Sequence, residues 1–489
     1  MGSLEKYFDG FRKNVIGVDE TYHTPYGIKK IIYNDWVAGA RLYRPIEKKL
    51  IEDFGPFVAN THTETSETGT RMTYAYHKAR EIIKKHVHAG PDDVLVFGGF
   101  GMTGVINKLQ RILGLKVNPD LFDKACLKEV DKPIVFVTHM EHHSNHTSWY
   151  ETIADVVILK PGKDMQVDLD ELRKQLKKYK NRKLKIGAFT SASNVTGVIT
   201  PYHEMARIIH ENDGLCFIDF AGSAPYMDIN MHPEDPLMQL DAVYFSPHKF
   251  LGGPGSSGVM IFDSKLYRNI TPDHPGGGTV EWTNRWGEYK YIDNIELRED
   301  GGTPGFLQAI RAALAIKLKE KMGPRNMMER EEQLLEKAFK GLHSLPGINI
   351  LEDSEYLRIG VVSFYHHKIH FNLIVKLLSD RYGIQVRGGC VCAGTYGHFL
   401  LGVTQDQSDA IVKKIEAGDL SGKPGWVRWS LHPVTKDSEV EFFIDSLKEI
   451  IRNASEWKKE YFYDKGTNEY YHKQDDGSKL REVESWFNL

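Results

Sequence analysis

The chain has 489 residues, 41% of them hydrophobic and 26% charged, and a formal net charge of −3. That length exceeds one simple core and suits two large lobes. The charge argues against a nucleic-acid partner, which needs a basic footprint, but leaves room for one local basic pocket. No apolar run is long enough to span a bilayer, so no membrane partner is expected. The N-terminus, MGSLEKYFDGFRK, has no apolar core and does not read as a signal peptide. Gly2 begins a partial myristoylation pattern, but Lys6 stands where Ser or Thr is required. The cysteines Cys126, Cys216, Cys390 and Cys392 are too few for a disulfide framework. A reducing, cytoplasmic setting is expected, with thiols free for chemistry.

Seven short apolar runs follow in chain order: DVLVFGG (93–99), KPIVFVTH (132–139), ADVVILK (154–160), KIGAFTSAS (185–193), GLCFIDF (214–220), DAVYFSP (241–247) and GVMIFD (258–263). Each is continuous rather than alternating, the pattern of a strand buried on both faces. Helical stretches such as DLDELRKQLKKYK and YHEMARIIHEND separate them. This rhythm predicts an α/β fold with a mostly parallel sheet. GFLQAIRAALAIKLKEKMG then reads as a long helix, and MMEREEQLLEKAFKGLHSL as a second. From about residue 330 a smaller α+β lobe is expected. YFYDKGTNEYYHK, in the tail, has the look of a hairpin around a Gly-containing turn.

In such sheets ligands bind beyond the carboxyl ends of the strands. Asp219 ends one apolar run; Ser246, His248 and Lys249 follow the next, ahead of the Gly-rich GGPGSSG. A buried carboxylate is costly unless it faces a cation or donors. This set suits a phosphorylated, cationic aromatic aldehyde. Asp219 would face the ring nitrogen, Lys249 would form a Schiff base, and Ser246 and His248 would hold the phosphate. An ordinary buried ion pair accounts for the spacing equally well.

The segments MEHHSNHTSW, SASNVTGVITP, FIDFAGSAPY, FSPHKFLGGPGSSG and RGGCVCAGTYG stand in an order that resembles the class V aminotransferase family. Together they are similar to its cysteine desulfurase/selenocysteine lyase branch. The resemblance implies pyridoxal-5′-phosphate (PLP) fold type I: a large domain, 35–325, with a mostly parallel seven-stranded sheet. A smaller α+β domain would combine 1–34 with 326–452, leaving 453–489 as an extension. It also implies a homodimer, PLP on Lys249, and a possible protein sulfur acceptor.

Residue by residue, the resemblance assigns His142 to stack on the ring and Asn194 to lie near the ring hydroxyl and the substrate. Asp219 becomes the pyridinium partner. Gly101, Met102 and Thr103 form the phosphate turn at a helix N-terminus, where free N–H groups favour an anion. Thr303, in DGGTPGF, would reach the phosphate from the partner subunit. Arg428, in WVRWSLH, would clamp the substrate carboxylate. His62, in THT, is a further candidate for the lining. One departure stands out: Gly222 occupies the place of a family glutamine.

Cys392 falls where desulfurases carry the sulfur-accepting cysteine, with Cys390 as an extra thiol. Three functions follow. The first is a desulfurase that moves sulfur from L-cysteine to Cys392 as a persulfide and releases alanine. The second is an aminotransferase or related lyase in which both thiols belong to a substrate lid. The third is a PLP- or metal-binding regulatory or sulfur-carrier protein. His139, His142, His143 and His146 form a conceivable metal cluster, but a zinc site needs correctly directed ligands with outer support. The expectation is no metal. His366, His367 and His370 read as a solvated strand–helix junction.

Overall fold

The computed structural model describes residues 3–118 and 127–488. Gly2 and Cys126 lie outside them. The seven apolar runs form one seven-stranded sheet. Its strands are β1 (Asp93–Gly98), β2 (Ile134–Val137), β3 (Asp155–Ile158), β4 (Lys185–Thr190), β5 (Leu215–Asp219), β6 (Ala242–Phe245) and β7 (Gly258–Asp263). The spatial order is β1-β7-β6-β5-β4-β2-β3. Neighbours from β6 to β3 are parallel, and β7 runs antiparallel to both β1 and β6.

The continuous apolar runs have their cause in this arrangement. Hydrophobic clusters cover both faces: Phe136, Phe189, Ile218 and Phe245 point one way, and Val135, Ala188, Phe217 and Tyr244 the other. β3 departs from the expectation. It is as apolar as the others but lies at an edge, and its residues are only half-buried.

Helix α1 (Met102–Ile112) follows β1, and α2 (His143–Tyr150) follows β2. The predicted long helices are α3 (Phe306–Met322) and α4 (Pro324–His343). Beyond them a four-stranded sheet has the order β8-β9-β11-β10, from β8 (Ile348–Ile350), β9 (Val361–His366), β10 (Arg387–Gly389) and β11 (Trp426–Ser430). Helices α5 (Phe371–Tyr382) and α6 (Asp437–Trp457) pack on it. The second core has Trp429 stacked on Phe443 at 3.7 Å. Residues near the N-terminus touch both cores: Phe8 and Val15 join the first, while Ile32 packs on the second.

The tail forms the hairpin β12 (Tyr461–Asp464) and β13 (Glu469–His472). His366 ends β9, and His370 caps α5. Among the described residues, no helix is long and apolar enough to cross a membrane.

Candidate active site

Five strand ends converge on one cavity of about 490 Å³. The turn after β1 brings Gly101, Met102 and Thr103; the segment after β2 brings His142; the segment after β4 brings Asn194. Asp219 closes β5, and Ser246, His248 and Lys249 follow β6. Cys392 and Arg428 enter from the second sheet. Eleven of the thirteen residues singled out in the sequence therefore share one wall.

Thr303 and His62 lie elsewhere. Thr303 lines an adjoining cavity with Lys108 and Arg111, which has Gly99, Thr103 and Gly104 in common with the first. His62, at a left-handed φ of 66°, lines a third cavity with Glu64, Tyr76 and His77.

Asp219 and Lys249 set the electrostatics. Burial pushes the Asp219 carboxyl up to about 6, against the Ala221 N–H and the Lys249 charge. Asp219 Oδ1 accepts that N–H at 2.8 Å. Burial also lowers Lys249 to about 8, and Asp219 is the strongest influence in the other direction. A cation against Asp219 would hold it ionised, and a neutral Lys249 amine is a nucleophile. Burial lowers His142 to about 3, helped by the Lys249 charge. Its Nδ1 accepts the Ser144 N–H at 3.1 Å, so it caps α2 as a neutral imidazole. Beneath it, buried Glu141 accepts bonds from Thr138 Oγ1 at 2.6 Å, Asn145 Nδ2 at 2.7 Å and Thr190 N at 2.9 Å.

Three features test whether PLP fits. First, the turn at Gly101 is kept open: a Cβ there would meet His248 Cε1 at 2.8 Å and Ser246 Oγ at 3.0 Å. The N-terminus of α1 follows directly, and Met102 N donates to Ser246 Oγ at 2.8 Å. Thr103 Oγ1 and Ser144 Oγ lie 2.6 Å apart beside it. Free N–H groups, hydroxyls and an imidazole in one cradle suit a phosphate. Second, Asn194 Oδ1 is buried without a partner, while its Nδ2 donates to the Val391 carbonyl at 2.8 Å. Third, the buried Asp219 carboxyl suits a protonated ring nitrogen. The donor set fits the cofactor. Gly222 also lines the cavity and leaves the family glutamine's space open.

Arg428, expected to clamp the substrate carboxylate, already has protein partners. It is buried, pairs with Asp35 Oδ1 at 2.8 Å and donates to the Asn194 carbonyl at 3.2 Å. Arg387 also lines the cavity and pairs with Asp35 Oδ2 at 2.9 Å. Sequence reasoning missed Arg387 and Asp35, although Arg387 begins the RGG that precedes the thiols.

Cys392 is exposed, whereas Cys390 is half-buried and packs against a cluster that includes Met140 and Trp426. Val391 and Cys392 both take left-handed φ values, 41° and 59°. Such backbone costs on the order of 1–3 kcal/mol per residue and persists only where the surroundings impose it. Here they do: the Ala393 N–H donates to the Cys390 carbonyl at 3.0 Å and the His143 N–H to the Cys392 carbonyl at 2.8 Å. His143 Nε2 accepts the Gly394 N–H at 2.9 Å, His139 Nε2 donates to the Met165 carbonyl at 2.9 Å, and His146 Nδ1 lies 3.3 Å from Thr395 Oγ1. These three histidines serve separate backbone and side-chain contacts.

This architecture has known counterparts. The chain belongs to the class-V aminotransferase family, whose family model matches residues 32–443. That family is one of PLP-dependent enzymes, and the fold is type I. A probable cysteine desulfurase of Halalkalibacterium halodurans is 28% identical over 405 residues, 79% of this chain and 92% of the relative. One of Staphylococcus epidermidis is 28% identical over 369 residues, 75% of this chain and 84% of the relative. Two solved structures share the fold. The cysteine desulfurase of Thermococcus onnurineus NA1 superposes with a TM-score of 0.72 at 23% identity, covering 91% of this chain and 98% of its own. CsdA of Escherichia coli gives 0.70 at 20% identity, covering 92% and 99%.

The low position of Lys249 is open to measurement. In cofactor-free protein, trinitrobenzenesulfonate should modify Lys249 with a half-maximum near pH 8, because the neutral amine accumulates above its lowered pKa. Surface lysines should follow the ordinary value near 10.5. A Lys249 midpoint at the ordinary value would refute the burial argument.

Proposed function

We propose that the protein is a PLP-dependent cysteine desulfurase that moves sulfur from L-cysteine to Cys392 and releases alanine. The observation that carries this reading is an exposed thiol, held on a left-handed turn, lining the same cavity as Lys249 and Asp219. The relatives named probable cysteine desulfurase support it. Residues 35–325 would form the cofactor lobe, 1–34 with 326–452 the second lobe, and 453–489 an extension.

Gly101, Met102, Thr103, Ser246 and His248 would hold the phosphate. Asp219 would face the ring nitrogen, His142 a ring face, Asn194 the ring hydroxyl, and Lys249 the aldehyde. When bound, PLP supplies an aldehyde for amines and a ring that accepts the electron pair of the substrate α-carbon. The remaining work belongs to the chain. Lys249 Nζ, as a neutral amine, would take the substrate α-proton. Arg387 and Arg428, bracketing Asp35, orient the substrate carboxylate. Cys392 Sγ attacks the substrate sulfur as thiolate. An S–S bond forms while the substrate C–S bond breaks, and that bond's electron pair stays with carbon, which is protonated to give alanine. The persulfide on Cys392 is then open to a sulfur acceptor.

We infer further that the enzyme is a homodimer with composite sites. Thr303 and His62 lie outside their own chain's cofactor cavity, and Phe100, beside the phosphate turn, is 94% exposed. A second copy that covers Phe100 and delivers Thr303 accounts for the first and the last of these. Sedimentation should find a dimer; a cofactor-loaded, active monomer would overturn this.

Cys392→Ala should retain PLP but lose sulfide release from L-cysteine by more than about a hundredfold, as expected when a covalent nucleophile is removed. Cys390→Ala should lose far less, since its thiol packs away from the cavity. Sulfide release at the wild-type rate by Cys392→Ala would refute the mechanism. A wild-type enzyme that releases none and transfers amino groups to a keto acid would replace it with the aminotransferase reading.

A further inference from the structure

The hairpin β12–β13 lies beyond the residues matched by the family model, which end at 443. It folds back over α5 and grips both ends of that helix. At the C-terminal end, outside the hairpin itself, the Arg381 guanidinium sits between the rings of Tyr26 and Trp457, at 3.9 and 3.8 Å. It pairs there with Glu460 at 2.5 Å, and Tyr461 OH donates to Asp380 Oδ2 at 3.1 Å. At the N-terminal end, the capping His370 lies 5.5 Å from both Tyr463 and Tyr470. Next to it, Asn372 Nδ2 donates to the Asn468 carbonyl at 2.7 Å. Asn468 is itself fixed at a left-handed φ of 61°, and Tyr463 OH donates to its Oδ1 at 2.7 Å.

The other end of the Asn372 amide meets the strand of the second sheet that leads to the thiol turn. Asn372 Oδ1 lies against Gly388, so closely that a Cβ on Gly388 would overlap it. Gly388 is on β10, one residue after Arg387 and four before Cys392. The hairpin turn also holds the loop that leads to β11: the Leu420 N–H donates to the Lys465 carbonyl at 2.9 Å. The thiol turn is strained, and strained backbone holds only where its flanks fix it. Asn194 and His143 pin one side. The strand that feeds the turn leans on Asn372.

We propose that the hairpin β12–β13 positions the thiol turn, and that Asn372 is the positioning residue that couples the Asn468 carbonyl to the Gly388 backbone. The chemistry assigned to Cys392 rests on the reading above; the brace does not. The test compares wild type, Asn372→Asp and a chain ending at Trp457, each loaded with PLP. Asn372→Asp keeps the shape but turns an acceptor toward the Asn468 carbonyl. Iodoacetamide should alkylate Cys392 about tenfold faster in Asn372→Asp, the effect of losing about one buried hydrogen bond, and at least as much faster in the shortened chain. The kcat for sulfide release should fall by a similar factor with KM little changed, while cofactor absorbance stays at the wild-type level. If the shortened chain does not fold, Asn372→Asp alone decides. Unchanged alkylation and kcat in Asn372→Asp would overturn the brace. So would loss of cofactor absorbance together with activity, which marks general unfolding. Faster alkylation in a protein that releases no sulfide would keep the brace and discard the desulfurase reading.

Discussion

A carboxylate buried at the end of β5 is the constraint on which the site depends. Asp219 sits in register with Thr190 on one neighbouring strand and Tyr244 on the other, deep enough that burial disfavours its charge. The Ala221 N–H restores part of it, and a facing cation restores more. Lys249 supplies part of that charge in the isolated chain and is itself held low by the same burial. A cofactor whose ring nitrogen is protonated would satisfy Asp219 and leave the amine free to react. His142, neutral for the same reason, can lie against a cationic ring without repelling it. The desolvated pocket thus favours the neutral forms of Lys249 and His142 that the chemistry requires, while Asp219 needs a facing cation to stay ionised.

Asp35 plays the opposite part behind two arginines of the cavity wall. It divides one negative charge between Arg387 and Arg428, which leaves a net positive charge for an incoming carboxylate. Arg428 is enclosed and also tied to the Asn194 carbonyl, so it serves as a fixed donor. Arg387 is the more exposed of the two and the better able to turn toward substrate. Through Arg428 the pair joins the second sheet to the loop after β4.

Much of this was legible in the sequence because the signals are local. Seven continuous apolar runs reported seven strands, and polar residues just past them reported the cavity wall. What escaped depends on partners far away in the chain. Asp35 and Arg387 are 352 residues apart. Neither stands in a local pattern that announces the pairing. Asn372 and Gly388 look ordinary until the fold presses one against the other. Burial of β3 could not be read either, since an edge position depends on which strand is missing beside it. Thr303, expected at the phosphate of a partner subunit, and His62, expected in the lining, both line other cavities of their own chain.

The claim that Lys249 anchors the cofactor against Asp219 is tested most directly by borohydride reduction of the PLP-loaded protein, followed by peptide mapping. The account predicts a single pyridoxyl-modified peptide, FSPHKFLGGPGSSG or a fragment of it, with the label on Lys249. A label on another lysine, or none on a protein that retains PLP, would contradict it.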